Sequence, residues 1–284
     1  MTLVLTLATP DVVIQVADRR LVNALTGETM SDNTNKSVSY CGSTSFAYTG
    51  LAKIGRDQTD EWLASTIASQ PSMFEVLRML ANDASAAFGR IRVPDTRWKR
   101  HTFVGAGWAT RAPGAPLSPC IWSVSNCVGL DFMPLAEPTP EFRILTYECS
   151  GVPFVLNSVG QSIPTSIKRE LKKNIERCLS RQTSALPLAE LMVRAVRNVA
   201  LTNSAVGRGL LISAIPRAAL EADTPGILFL ASEPMPDERT FLYISEGNET
   251  ATQLAPIYVC HGMTMSNFIA QPLEPEDPVA DANS

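Results

Sequence analysis

A threonine at position 2 and an aspartate at position 18 are the first residues of this chain whose types and spacing can do chemistry. Removal of a start methionine tolerates a small second side chain. Thr2 would then own both a hydroxyl nucleophile and a free α-amine with a pKa of about 8, close enough to act as its base. Asp18 ends the apolar run Val12-Val13-Ile14-Gln15-Val16-Ala17. A carboxylate in such a strand calls for an opposite charge, because burying it alone is costly. Lys36 supplies that charge and, beside a hydroxyl, would lower its pKa and stabilise developing negative charge. The trio Thr2, Asp18 and Lys36 therefore reads as a catalytic arrangement built around a hydroxyl nucleophile. Such a site needs no metal and no organic cofactor. Only His101 and His261 are present, too little for a histidine zinc site or a Ser-His-Asp arrangement.

The elements around these residues follow from periodicity and turn chemistry. Residues 2–8 and 12–18 read as a hairpin broken by Thr9-Pro10-Asp11, which brings Thr2 towards Asp18. Residues 21–35 read as a loop or ragged ribbon, and 37–40 with 45–48 as a second hairpin ending at Thr49-Gly50. The pattern of Trp62, Leu63 and Ile67 predicts a helix over 57–67. Ser72 caps a second helix that Gly89 stops. Strands are expected at 101–108, 120–127, 142–147 and 154–158, then helices over 165–180 and from Pro187 to about 201. Final strands fit 210–215, 227–231, 241–244 and 255–260. Strands, two helices, strands, two helices and strands again fit an α+β, four-layer αββα sandwich: two stacked antiparallel sheets, each covered by a helix pair. Residues 1–271 read as one domain, and the Pro/Glu/Asp-rich 272–284 as a disordered acidic tail.

Bulk properties narrow the field. The chain has 284 residues, 45% of them apolar, and a net charge of −4. That balance argues against a nucleic-acid partner, which calls for a basic stripe. No run reaches the ~18 apolar residues of a membrane helix, and the start lacks the basic region of a secretory signal. Six scattered cysteines without CxxC pairs read as buried thiols of a reducing cytoplasm.

Residues 2–60 resemble a proteasome β-type subunit of the N-terminal-nucleophile hydrolase superfamily, in a divergent, bacterial-type form. The resemblance rests on Thr2, on Val16-Ala17-Asp18-Arg19-Arg20 sixteen residues later, and on Lys36 fourteen residues before Gly50 in Phe46-Ala47-Tyr48-Thr49-Gly50. It implies a threonine-type peptidase with Thr2, Asp18 and Lys36 at the site and the Gly50 N–H as oxyanion donor. By the same resemblance Arg20 is an ion-pair partner, and Ser158, Gly160 and Asn203 are supporting residues. Its expected partners are a peptide or unfolded protein as substrate, further copies in a homo-oligomeric ring, and any ATPase as a separate chain, since no GxxxxGK[ST] loop occurs here. Asn203-Ser204-Ala205-Val206-Gly207 departs from the family's Asp-x-x-Ser-Gly turn, with Asn203 in place of Asp and Val206 in place of Ser. Two other readings stand beside this one: a non-catalytic subunit of the same fold that keeps Met1, and an amidohydrolase acting on a small-molecule amide.

Overall fold

Runs of leucine and valine at the start of the chain form two strands buried on both faces, β1 (Leu3–Ala8) and β2 (Val12–Asp18). Strands covered on both sides read as near-continuous apolar sequence, and these do. The turn between them is closed by Thr9, whose Oγ1 accepts from Val12 N at 3.0 Å while its own amide donates to Val12 O at 3.0 Å. The coordinates are a computed structural model, which describes residues 2–23, 25–32, 34–70, 72–110, 115–149, 151–181, 185–218, 228–232, 241–243, 257–260 and 262–265.

A ribbon of β3 (Leu21–Val22) and β4 (Thr29–Ser31) follows, then the hairpin β5 (Ser37–Tyr40) and β6 (Thr44–Thr49). The small ribbon β7 (Lys53–Ile54) and β8 (Asp57–Gln58) leads into α1 (Thr59–Ile67) and α2 (Met73–Arg90). Then come β9 (Thr102–Ala109), β10 (Ser118–Ser125), β11 (Arg143–Glu148) and β12 (Val155–Gly160). Helices α3 (Thr165–Leu179) and α4 (Ala185–Thr202) precede β13 (Leu210–Pro216), β14 (Leu228–Ser232) and β15 (Phe241–Tyr243). The described chain closes with β16 (Ile257–Cys260) and β17 (Met263–Met265).

One sheet has the order β12-β1-β2-β13-β14-β15, the other β11-β10-β9-β6-β5-β16-β17. Leu3, Leu5, Leu7, Ile14 and Val16 pack against α3 and α4 through Leu171, Ile175, Met192 and Val196. On the second sheet Val38, Phe46 and Phe103 pack against Leu63, Ile67, Val76 and Leu80 of α1 and α2. The sheets meet through smaller residues, among them Ala8, Val13, Val104 and Ala106, with Val4, Ala17 and Ala47 beside the site. The architecture is thus the α+β sandwich that element order calls for.

Several expectations need correction. The first helix begins at Thr59, because Asp57 and Gln58 pair back onto Lys53 and Ile54 around Gly55, which turns at φ 65°. The second runs one residue past Gly89 to Arg90. His101 precedes its strand instead of opening it, and Phe142 likewise precedes β11. The sheets are not wholly antiparallel: β16 runs parallel to β5, pairing Tyr258 with Ser39. The 272–284 tail and His261 lie outside the described residues. Among the described residues, no helix is long and apolar enough to cross a membrane.

Candidate active site

The first hairpin sets the end of β2 against the start of β1, so the Asp18 carboxylate meets the backbone beside Thr2. Leu3 N donates to Asp18 Oδ2 at 2.6 Å; Arg20 N and Gly207 N donate to Oδ1 at 3.0 and 3.1 Å. Three N–H donors satisfy a carboxylate that is fully buried. Lys36 enters from the loop before β5 and is 1% exposed. Its Nζ donates to Thr2 Oγ1 at 2.7 Å and to the carbonyl of Arg20, and stands 3.6 Å from Asp18 Oδ1. Burial pulls the lysine below its ordinary range, opposed by the Asp18 charge. Three oxygens around Nζ match the three donors of an ammonium group.

Thr2 is held by its carbonyl as well, which accepts from Gln161 N at 3.0 Å and from Thr49 Oγ1 at 3.4 Å. Gly160 allows this approach. It sits at φ 87°, and a Cβ there would fall 1.8 Å from Thr2 O. Gly160→Ala is therefore expected to cost about 2–4 kcal/mol in chemical denaturation, combining a strained φ with a clash against backbone. A loss below about 0.5 kcal/mol would show that the Thr2 backbone yields freely.

The structure brings Thr2, Asp18 and Lys36 into one buried cluster, with Gly160, itself exposed, against the Thr2 carbonyl. Gly50 follows Thr49 at the end of β6, is exposed, and has φ 124°. Arg20 forks Asp32 through Nε at 2.6 Å and Nη2 at 3.1 Å, and donates Nη1 to Ser204 O at 2.9 Å. It thereby fastens the segment after β2 to the 203–207 turn. Two expected supporters sit apart from Thr2. Ser158 pairs with Leu5, on the face turned to α3 and α4. The Asn203 side chain donates to Gln161 Oε1 at 3.0 Å and accepts from Ala205 N at 3.0 Å. Val206 is buried among the α3–α4 contacts, so its turn reaches the site through the Gly207 amide on Asp18.

Sequence reading missed the partners that are backbone atoms, the Arg20 carbonyl and the Gly207 and Gln161 amides, which carry no residue-type signal. It also missed Asn35, which precedes Lys36. Asn35 Nδ2 donates to buried Asp60 at 2.9 Å, and its carbonyl accepts from Tyr48 Oη at 3.3 Å. Burial raises the Asp60 carboxyl, with Asn35 working against it. Among the described residues no group of three or more His, Cys, Asp or Glu could hold a metal ion.

No family model matches the chain, and no curated protein matches it. Among solved structures it is similar to Anbu (ancestral beta-subunit) from Yersinia bercovieri, at 14% identity and a TM-score of 0.48, over 75% of this chain and 81% of that one.

Proposed function

We propose that the chain is a threonine-type N-terminal-nucleophile hydrolase that cleaves amide bonds in peptides, with Thr2 as nucleophile once Met1 is removed. The observation that carries this reading is the 2.7 Å hydrogen bond from buried Lys36 Nζ to Thr2 Oγ1, beside a fully buried Asp18. Lys36 occupies a lone pair of Oγ1, so the hydroxyl proton is free to leave on the other side, to the α-amine directly or through a water. Oγ1 then attacks the substrate carbonyl carbon. The Gly50 N–H takes the oxyanion, and the protonated amine passes its proton to the leaving nitrogen as the C–N bond breaks. Water, deprotonated by the same amine, releases the acyl group from Oγ1 and restores Thr2. Asp18 holds Lys36 without touching substrate.

Homo-oligomerisation belongs to the same reading. Leu130, Phe132 and Met133, between β10 and β11, are 70%, 45% and 62% exposed, and apolar surface of this kind is suited to cover by further copies. The free thiol at Cys127 suits a reducing cytoplasm.

The test is intact mass combined with electrophile labelling. A chain beginning at Thr2, and an adduct from a β-lactone probe mapped to Thr2 Oγ1, are the expected results. A mature chain that still carries Met1 would favour the non-catalytic reading and overturn this one. Turnover of small amides with no turnover of fluorogenic peptides would move the substrate class and leave the chemistry in place.

A further inference from the structure

Among the buried titratable side chains that the proposed mechanism leaves unused is His101, which is 1% exposed and lies directly beneath Gly50. We propose that His101 is a positioning residue for the oxyanion-binding corner: its Nδ1 holds the Gly50–Leu51 peptide so that the Gly50 N–H faces the scissile carbonyl. This inference rests on the proposed roles of Thr2 and Gly50.

The geometry supports it from several sides. Leu51 N donates to His101 Nδ1 at 3.1 Å. Gly50 has φ 124°, and a Cβ there would fall 2.5 Å from both His101 Nδ1 and the Arg100 carbonyl. The corner thus lies on the ring and the preceding carbonyl with no room to spare, in a conformation that only glycine adopts freely. The other bonds at this corner hold different atoms: Thr59 Oγ1 donates to Leu51 O at 2.8 Å and Thr59 N to Ala52 O at 3.0 Å. Among the described residues, His101 alone takes the N–H of the peptide that follows Gly50. That bond fixes the tilt of the peptide and, with φ, the conformation at Gly50.

The ring cannot drift. It stacks on Tyr48 with centroids 5.8 Å apart, and Phe88, Phe103 and Phe142 pack around it at 5.0, 4.4 and 6.4 Å. Its backbone is pinned by His101 N donating to Asn126 Oδ1 at 2.9 Å. An Nδ1 that accepts must be unprotonated, which places the proton of a neutral ring on Nε2. Burial favours that neutral form, pushing the His101 pKa down to about 3. Nε2 is buried and meets no hydrogen-bond partner among the described residues. An apolar core gains nothing from a half-satisfied imidazole, so the contact that accounts for the residue is the one at Nδ1.

The experiment compares full-length wild type, His101→Phe, which keeps an aromatic ring without an acceptor, and His101→Asn, whose Oδ1 can stand near the Nδ1 position. Fluorogenic peptide kinetics, amide hydrogen exchange at Leu51 and imidazole nitrogen NMR are the readouts. His101→Phe should lower kcat by about 10- to 100-fold, the penalty of a small misplacement at the reacting centre, with KM within about twofold. Its Leu51 amide should exchange faster than in wild type. His101→Asn should recover most of both losses, which a merely space-filling role would not produce. The wild-type Nδ1 should report as the unprotonated nitrogen. A folded His101→Phe with kcat within about twofold of wild type would overturn the proposal. So would a His101→Asn chain as impaired as His101→Phe, or a protonated wild-type Nδ1, which needs no variant to fold. Absence of peptide turnover in wild type would count against the Thr2 reading instead, while Leu51 exchange and the imidazole signals would still decide whether His101 holds the corner.

Discussion

Replacing Lys36 with methionine is expected to lower kcat for peptide cleavage by about 10³-fold while the chain stays folded. The activity loss follows from what Nζ touches. It donates to Thr2 Oγ1 at 2.7 Å, and removing it takes away the cation that lowers the hydroxyl's pKa and stabilises charge as Oγ1 attacks. The modest effect on stability follows from Asp18. Its carboxylate keeps three backbone N–H donors, from Leu3, Arg20 and Gly207, so removing the lysine leaves it hydrogen-bonded. Methionine fills most of the stem volume, and the unfolding free energy should change by about 2 kcal/mol or less in either direction. Thr2→Ala should reach the same floor of activity. Adding Lys36→Met to it should cost nothing further, because groups that act as a unit are non-additive. A folded Lys36→Met chain with kcat within about tenfold of wild type would remove the lysine from the mechanism.

That asymmetry between lysine and aspartate was only half legible in the sequence. A carboxylate at the end of an apolar strand demands a partner, and Lys36 was the cation at hand. Residue types, however, say nothing of backbone donors, and the Gly207 amide comes from 189 residues away in sequence. The 203–207 turn shows the difficulty well. Read by residue type it offered Asn203 and lacked a serine at Val206; in space the side chain of Asn203 turns to Gln161 and the turn acts through an amide. The same logic separates what was readable in the fold. Both helix pairs and the first hairpin follow from local periodicity, since each apolar stripe marks the face it buries. The parallel pairing of Ile257–Cys260 with Ser37–Tyr40 does not, because register between distant strands is set by tertiary packing. His101 lay between the two cases. A polar residue beside a strand is unremarkable in sequence, and only the chain's return over it at Gly50 and Leu51 gives the ring something to hold.

Asp18→Ala should be the more damaging change to the folded state, costing about 3–5 kcal/mol, the range for breaking a buried ion pair from one side. Alanine strips the acceptor from three backbone amides at once and leaves the Lys36 ammonium buried with only neutral oxygens beside it. Asp18→Asn should fall between, because it keeps one acceptor oxygen and turns an NH2 donor towards N–H groups that need an acceptor. The pH dependence supplies a sharper check. Burial already holds the folded lysine below its ordinary 10.5, and the Asp18 charge is what opposes that shift. Without it the folded pKa falls further, so between the lowered value and 10.5 the unfolded chain binds the extra proton. Stability of Asp18→Ala must then rise with pH, and as pH approaches 10.5 from below its urea midpoint should climb more steeply than that of wild type. Adding Lys36→Met removes the titrating group and should flatten the slope. A slope that persists in the double variant would mean that another group titrates there, and that Asp18 acts on the backbone donors alone.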